Sequence, residues 1–366
     1  MAMVLENITR RVENECHIDD ISLELEPGTF NILLGRTLAG KTTLMRLMAG
    51  LDRPTTGRIL MNGKDLTGVS VRRRDVAMVY QQFINYPSMT VYKNIASPLL
   101  LAKVTDSEID RRVREVAEML HIENLLDRLP VELSGGQQQR TAIARALVKD
   151  AELLLLDEPL VNLDYKLREE LRIEMREIFK RRKSIVVYAT TEPQEALTLG
   201  GNTAVLYEGK LEQFGPTIDV YQHPKTTRIA QAFSDPAMNF VDGKIEAGTL
   251  FINNTTKLPL QGHLKALPAG DYQFGMRANH LKLEQHSTAD IEFQTTIDLV
   301  EISGSETFLY VTHDDRTWIV QQDGIFKYQM GEPIRVFIDP ARLYAFNRDG
   351  DLLSAAETTF SAHHNN

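Results

Sequence analysis

The sequence predicts an α/β domain built on a mostly parallel sheet, followed by an all-β domain. Short apolar runs such as FNILL (30–34), LLLLD (153–157) and IVVYAT (185–190) are typical of strands buried on both faces of a parallel sheet. Helical stretches separate these runs, which is the alternation expected of an α/β fold. After about residue 233 the pattern changes to short strand-like runs separated by turn residues.

The elements of the α/β domain are predicted in order along the chain. The expected strands share short apolar runs: ISLEL (21–25), FNILL, VAMVY (76–80), LLLLD, IVVYAT and AVLYEG. A helix is predicted at KTTLMRLMAG (41–50), with Gly50 in the usual C-terminal position. A further helix is predicted over 107–120 from its apolar spacing, with Asp106 or Ser107 as the N-cap.

The C-terminal part predicts one or two small β-barrels. Its expected strands are LFIN, YQFGMR, TTIDLVEI, TFLYVT, TWIVQQ and IRVFID, and the turn residues NN, PAG, HDD, DG and RDG separate them. We therefore expect two domains, at residues 1–233 and 234–366.

Composition limits the possible functions. The 366 residues are 43% hydrophobic, which suits domains with real cores, and the net charge of -9 argues against a nucleic-acid-binding surface. The one cysteine, Cys16, excludes an internal disulfide and favours a reducing compartment. The N-terminus lacks the apolar stretch of a signal peptide, and the longest apolar runs are too short to cross a bilayer. Any membrane role is therefore expected to depend on other chains.

Residues 35–42 read GRTLAGKT, which matches the phosphate-loop pattern between a predicted strand and a predicted helix. Backbone N–H groups of such a loop can cradle phosphates, the Lys41 side chain neutralises them, and Thr42 can ligate Mg²⁺. The alternative is a chance glycine-rich turn. The residues expected to bind ATP here are Gly35, Arg36, Thr37, Leu38, Ala39, Gly40, Lys41, Thr42 and Thr43.

An acidic pair ends the apolar run LLLLDEP (153–159). At the carboxyl end of a strand in an α/β sheet, Asp157 would bind Mg²⁺ and Glu158 would polarise an attacking water. Asp-Glu-Pro also suits the first turn of a helix, which is the alternative. The phosphate loop upstream favours the functional interpretation.

Residues 133–140 read LSGGQQQR and lie between the phosphate loop and the acidic pair. Taken alone, they could be only a capped helix start after a flexible turn. The motif and its place resemble the signature of ABC ATPases. In that family the signature acts in trans, on the γ-phosphate bound by a second subunit. The resemblance implies the same role for Ser134, Gly135, Gly136 and Gln137, with ATP and Mg²⁺ as ligands.

Other segments resemble this family in the same order. Gln81 matches the glutamine that touches Mg²⁺ and the attacking water, and Asp164 matches the loop that contacts the other subunit. Residues 81–100 resemble the groove that receives a helix of a membrane-spanning subunit. The resemblance also implies a helical subdomain at about 85–150. The strings PAMNF, FGMRANHLKL, LVEISGSETFLYV and FIDPARLYAF resemble the oligonucleotide-binding-like (TOBE) regulatory extension of sugar-importer ATPases. The resemblance implies a peripheral protein at the cytoplasmic face of the inner membrane.

Three positions depart from the family pattern. Thr191, in YATTEPQEA, stands where the family has a histidine, and threonine cannot become a cation or shuttle a proton as imidazole can. Either neighbouring groups compensate or hydrolysis is impaired. Leu38 stands where the family commonly has glycine. Val12 aligns with the aromatic residue that stacks on adenine, and His17 is the alternative for this role.

The three departures belong to the site that this chain builds, whereas the intact signature belongs to its partner's site. They indicate pairing with a second, conventional ATPase chain; a homodimer with two weakened sites is the alternative. The strings VYQQFINYPSMTVYKNIASPL and YATTEP resemble one of the paired ATPase subunits of bacterial glycerol importers, which implies glycerol as the cargo.

The sequence leaves three other functions open. A largely non-hydrolytic ATP-binding scaffold is favoured by Thr191 and opposed by Glu158 and Lys41. A soluble ABC ATPase of DNA repair or translation would carry coiled-coil insertions or tandem cassettes, which this sequence lacks. A regulatory role of the β domain could coexist with transport.

Overall fold

A computed structural model describes residues 2–82, 84–161, 163, 165–180, 183–252 and 256–357. The chain forms two compact units, Met1–Thr217 and Ile218–Asn366. The first is an α/β unit and the second is built mainly from strands, so the predicted fold class is confirmed.

The first unit contains ten described strands and six described helices. The strands are β1 (Met3–Val12), β2 (Glu15–Leu25), β3 (Phe30–Leu34), β4 (Thr56–Met61), β5 (Lys64–Asp65), β6 (Val76–Val79), β7 (Leu153–Asp157), β8 (Ile185–Thr190), β9 (Asn202–Tyr207) and β10 (Lys210–Pro216). The helices are α1 (Lys41–Ala49), α2 (Val91–Leu101), α3 (Asp106–Met119), α4 (Gly135–Leu147), α5 (Tyr165–Lys180) and α6 (Pro193–Leu199).

The central sheet has the strand order β10-β9-β3-β8-β7-β6. Strands β9, β3, β8, β7 and β6 run parallel, and β10 pairs antiparallel with β9 at one edge. Strands β3, β7 and β8 are buried along their whole length, as their continuous apolar runs predict. Their carboxyl ends therefore meet at one edge of the sheet, where the loop after β3 and the acidic pair at the end of β7 lie.

A second, antiparallel sheet of order β2-β1-β4-β5 was not predicted. Its strands β1 and β2 carry many polar residues, and the register between them shifts several times, so the alternating apolar pattern of a strand is interrupted. Helix α1 is buried against residues of both sheets in one core, with Leu44, Met45, Leu47 and Met48 fully buried. The helix that follows the phosphate loop is thus firmly held.

Helices α2, α3 and α4 lie between β6 and β7 in the chain. The helix predicted over 107–120 is α3, but the predicted N-cap was wrong: Thr105 caps it, and Asp106 is its first residue. Thr105 has extended backbone angles, whereas Asp106 places its charge in the first turn, where it interacts favourably with the helix dipole. Among the described helices, none combines the length and apolar character needed to cross a membrane.

The second unit is mainly β-structure. Two short helices, α7 (Thr217–Gln222) and α8 (Thr227–Ala232), come before its strands in the chain. The strands that follow are β11 (Asn239–Glu246), β12 (Thr249–Ile252), β13 (Thr256–Pro259), β14 (Gly270–Met276), β15 (Ile291–Ile302), β16 (Glu306–His313), β17 (Arg316–Asp323), β18 (Pro333–Ile338), β19 (Tyr344–Phe346) and β20 (Leu352–Ser354). They form two antiparallel sheets, ordered β13-β12-β11-β14-β19-β20 and β17-β16-β15-β18. Both contribute to one apolar core that contains Phe274, Phe293 and Trp318.

The two compact units divide at Thr217, earlier than the domain boundary expected at 233/234. Arg277, next to β14, explains why residues 218–233 group with the β-structure. Its buried guanidinium donates to the carbonyl of Tyr221 at 2.7 Å and lies 3.7 Å from the centre of that residue's ring. It also donates to the hydroxyl of Ser234 at 2.9 Å. Such long-range contacts leave no signal in local sequence patterns.

Candidate active site

The phosphate-loop pattern forms the turn between β3 and α1. Gly40 caps α1 with φ 102°, and a Cβ atom there would lie 3.2 Å from the His17 carbonyl oxygen. The conformation strongly favours glycine at this position, and the tight space adds to that preference. Leu38 also has a positive φ, of 68°, and its side chain is 94% exposed. The loop leaves the first N–H groups of α1 available for an anion.

Lys41 begins α1 and is only 5% exposed. Its ammonium donates to the carbonyl oxygens of Gly35 at 2.7 Å and Arg36 at 3.2 Å. It also lies 3.1 Å from Oε1 of Glu158. The loop thus folds around its own lysine, and the cation lies between the phosphate loop and the acidic pair.

Asp157 is buried at the last position of β7. The hydroxyl of Thr42 donates to its Oδ1 at 3.2 Å. Burial raises the pKa of the Asp157 carboxyl, the hydrogen bond from Thr42 opposes this rise, and the nearby Glu158 charge adds to it. A hydroxyl and one carboxylate side by side are the protein ligands expected for Mg²⁺ bound to a nucleotide. The described residues hold no cluster of three or more histidine, cysteine or acidic side chains that could form an all-protein metal cage.

Glu158 follows directly, with an unusual φ of 45°. Its N–H donates to the carbonyl of Ala189 at 3.0 Å, which fixes the backbone in this conformation. One carboxylate oxygen faces Lys41, and the other accepts a hydrogen bond from the side-chain amide of Gln81 at 3.2 Å. The structure therefore brings Lys41, Thr42, Gln81, Asp157 and Glu158 together.

Lys41, Thr42, Gln81 and Glu158 line a cleft of about 490 Å³, whereas Asp157 is not among its described lining residues. The residues that line it are Glu15, Cys16, His17, Thr37, Leu38, Ala39, Gly40, Lys41, Thr42, Thr43, Gln81, Glu158, Glu208 and Gly209. His17, the alternative to Val12 for contact with adenine, lies in this wall. Val12 is at the end of β1 and is not among the described lining residues.

Sequence reasoning missed Glu15, Glu208 and Gly209 in the wall of the cleft. A Cβ atom on Gly209 would lie 2.6 Å from the His17 carbonyl oxygen, so this glycine allows the hairpin between β9 and β10 to approach β2. The Glu-Gly pair indicates a tight turn in the sequence, but not which strand the turn approaches.

The signature residues begin α4. Ser134 is the N-cap: its hydroxyl accepts from the N–H of Gln137 at 3.4 Å, and its own N–H donates to the Gln137 side chain at 3.1 Å. Gly135 and Gly136 form the first turn. None of the four lines the Lys41 cleft among the described residues, so the chain does not bring its two sets of predicted phosphate-binding groups together in that cleft.

Thr191 lies in the turn between β8 and α6 and is exposed. It too is absent from the described lining of the cleft. Asp164, predicted to contact a second subunit, lies outside the described residues.

Comparison with known proteins places the chain in one family by two independent matches. Residues 18–161 match the ABC transporter family. The chain is 34% identical to the sn-glycerol-3-phosphate import ATP-binding protein UgpC of Psychromonas ingrahamii, over 95% of this chain and 94% of that protein. It is also 34% identical to the oligosaccharides import ATP-binding protein MsmX of Bacillus subtilis, over 93% and 95% of the two chains.

A dimeric structure of the ATP-binding cassette MJ0796 in a post-hydrolysis state, bound to ADP and Pi, is similar with a TM-score of 0.54 and 27% identity. The similarity covers 59% of this chain and 98% of MJ0796. Lys41, Asp157 and Glu158 all lie within residues 18–161, which match the ABC transporter family, and the two relatives match nearly the full length of the chain. The chain belongs to the ATP-binding proteins of ABC transporters and is an ABC-type ATPase.

Proposed function

We propose that this chain hydrolyses ATP to power import of a small sugar or polyol, with glycerol as the cargo. The observation that carries the proposal is the cluster in which Glu158 contacts both Lys41 at 3.1 Å and Gln81 at 3.2 Å. A phosphate-binding cation, a carboxylate and an amide that can orient water are the groups that phosphoryl transfer to water requires.

The roles follow from position. The N–H groups of residues 35–43 and the Lys41 ammonium would hold the phosphates. Glu158 would accept a proton from the attacking water, which Gln81 would orient. The wall formed by Glu15, Cys16 and His17 would face the base or ribose, with Val12 at its margin.

Mg²⁺ fits the pair formed by Thr42 and Asp157, with Gln81 as a further ligand. When bound, it would neutralise charge on the phosphates. The protein's own contribution is to keep the Thr42 hydroxyl 3.2 Å from a carboxylate that is almost completely buried.

A second ATPase chain would complete the site. The serine, two glycines and glutamine at 134–137 lie at the N-terminus of α4, which is suited to bind the γ-phosphate held by a partner. Because Thr191 replaces the histidine in this chain's own half-site, a partner with a conventional histidine is favoured over a homodimer. The dimeric MJ0796 cassette supports pairing in general.

Membrane-spanning subunits would bind near residues 81–100. Ile84, Tyr86 and Met89 expose large apolar side chains in this segment, as expected of a surface that another chain covers. The chain would then be peripheral, at the cytoplasmic face of the inner membrane, and its β unit would be regulatory.

The cargo is inferred from relatives. UgpC is named for import of sn-glycerol-3-phosphate and MsmX for import of oligosaccharides, which supports the sugar and polyol class. The YATTEP segment favours glycerol within that class. Uptake of labelled glycerol by cells with and without this chain tests the assignment, and unchanged uptake would contradict it.

Thr191 favours one other function, a scaffold that binds ATP and completes the partner's site without hydrolysing it. The test is Mg-ATP hydrolysis by the purified chain, with Lys41→Ala as the background. Turnover above that background supports the hydrolytic role. ATP binding that is lost in Lys41→Ala, combined with turnover at background, supports the scaffold.

A further inference from the structure

A buried group of three side chains lies at the end of β8, beside the proposed hydrolytic centre. Tyr188 and Thr190 belong to β8 and Glu195 to α6, and each is at most 4% exposed. Oε2 of Glu195 accepts hydrogen bonds from the Tyr188 hydroxyl at 3.0 Å and from the Thr190 hydroxyl at 2.5 Å. We call this group the β8 cluster.

The β8 cluster continues into the backbone. The Thr190 hydroxyl accepts a hydrogen bond from the N–H of Glu192 at 3.0 Å while it donates to Glu195. Its proton and one of its lone pairs are therefore both used, and the rotamer of Thr190 is fixed. Arg168 pairs with the Glu192 carboxylate on the outer side of this turn.

Two residues of the proposed site form backbone hydrogen bonds with the same end of β8. The N–H of Glu158 donates to the carbonyl of Ala189 at 3.0 Å. The N–H of Gly35, the first residue of the phosphate loop, donates to the carbonyl of Thr190 at 3.3 Å. The Gly35 carbonyl in turn receives the Lys41 ammonium at 2.7 Å. The peptide units at 189 and 190 therefore connect the proposed base with the phosphate loop.

Packing alone would be served by an apolar side chain at position 195. A carboxyl in this environment is unfavourable unless hydrogen bonds compensate for the lost water. Burial raises the pKa of Glu195, and the two hydroxyl donors oppose that rise. Satisfied buried polar groups of this kind fix one arrangement of the surrounding chain. Here the chain that they fix is the segment that supports Gly35 and Glu158.

We propose that Glu195 and Tyr188 are positioning residues of the ATPase site: they fix the end of β8 and thereby hold Glu158 and the phosphate loop in place. The proposal deepens the function proposed above and rests on it for the roles of these two elements. It also accounts for the placement of residue 191, because its neighbours Thr190 and Glu192 are both fixed by the β8 cluster and Arg168.

The test uses the full chain and the variants Tyr188→Phe, Glu195→Ala and Glu195→Gln. The first readout is hydrogen exchange, followed by mass spectrometry, in peptides that cover Gly35 and Glu158. Exchange in β4, a strand of the other sheet of the first unit, serves as the internal reference. Thr203→Val is the matched control for Tyr188→Phe, because it also removes a buried hydroxyl that makes a hydrogen bond, here at 2.8 Å to Thr217.

Loss of a hydrogen bond to a buried carboxyl is expected to speed exchange at Gly35 and Glu158 about tenfold. Tyr188→Phe and Glu195→Ala should also lower kcat for ATP about tenfold. Glu195→Gln should recover kcat to within about threefold of the unchanged chain, since its amide oxygen can accept both hydroxyl groups. Thr203→Val should change neither readout at these positions.

Unchanged exchange at Gly35 and Glu158 would overturn the proposal, and so would equal acceleration in β4, which indicates general destabilisation. If the unsubstituted chain shows no turnover, the proposed hydrolytic function is contradicted, but the positioning role of the β8 cluster is not. The exchange rates, together with Lys41-dependent ATP binding, then still decide whether the β8 cluster positions the site.

Discussion

The ammonium nitrogen of Lys41 lies 3.1 Å from Oε1 of Glu158, so the phosphate-loop cation and the proposed base form an ion pair. Both side chains are largely shielded from water, which makes their attraction stronger than that of a surface pair. A γ-phosphate that binds Lys41 must compete with this carboxylate. Phosphate binding would therefore free Glu158 to accept a proton from water.

Glu158→Gln should strengthen ATP binding and stop hydrolysis. Without the carboxylate charge, Lys41 is released and repulsion of the phosphates is removed, so we expect binding about fivefold tighter. Loss of the base should lower kcat at least about 100-fold. Calorimetric titration with Mg-ATP and a turnover assay measure the two effects. Glu24→Gln, at an exposed position of β2, is the matched control. Full turnover in Glu158→Gln would show that another group acts as the base.

Leu38→Gly should stabilise the N-terminal unit. Leu38 has φ 68° with its side chain 94% exposed, so it bears the cost of a left-handed conformation without gaining from burial. Relief of this strain should raise the free energy of unfolding by about 1 kcal/mol.

Glycine also increases the conformational entropy of the unfolded chain, which offsets part of the gain in stability. Leu38→Asn is therefore the better matched comparison, because asparagine keeps a side chain and tolerates positive φ. Leu38→Val should lower stability, since a β-branched side chain is poorly suited to positive φ. Urea unfolding of the three variants checks the order. A more stable valine variant would contradict it.

Thr191→His should raise turnover if the absent imidazole limits hydrolysis. Thr191 is exposed in a turn whose neighbours are fixed, so a longer side chain can be accommodated there. General acid–base assistance by a positioned histidine would raise kcat roughly tenfold or more. Thr191→Asn has a polar side chain that cannot carry the proton, and it should behave like the unchanged chain. Equal kcat values in all three chains would show that imidazole is not limiting.

His280 should make the β unit less stable in mild acid. Burial, with the charges of Arg277, Arg342 and Lys282, lowers the pKa of His280 from 6.5 to about 4. Below pH 6.5 the unfolded chain binds a proton that the folded chain does not bind. Stability should therefore fall as the pH drops from 6.5 towards 4, by about 3 kcal/mol at most.

Unfolding of the β unit followed from pH 7 to pH 4 measures this dependence. His280→Gln should flatten the curve in that window, whereas His286→Gln, at an exposed position, should leave it unchanged. An unaltered curve in His280→Gln would assign the pH dependence to other groups.

Several elements could be predicted because their signals are local. Strands β3, β7 and β8 have the predicted bounds, since each is a continuous apolar run that only a strand buried on both faces explains. Helix α1 ends before Gly50, whose φ of 77° is the left-handed conformation expected of a C-terminal glycine. The polar strand β1, the first half of β2 and the N-cap Thr105 lack such signals and were missed, whereas the second half of β2 is the predicted strand ISLEL (21–25).

The sequence by itself determined the order of loop, signature and acidic pair, because each motif consists of neighbouring residues whose chemistry is evident from their types. Only the tertiary structure decided which groups meet. The strand order β3-β8-β7 places β8 between the phosphate loop and the acidic pair, and so makes Ala189 and Thr190 their common support. Gly40 and Gly209 let His17 approach the cleft, whereas Val12 is not among its described lining residues. These relationships depend on strand pairing between distant residues, which local side-chain patterns do not specify.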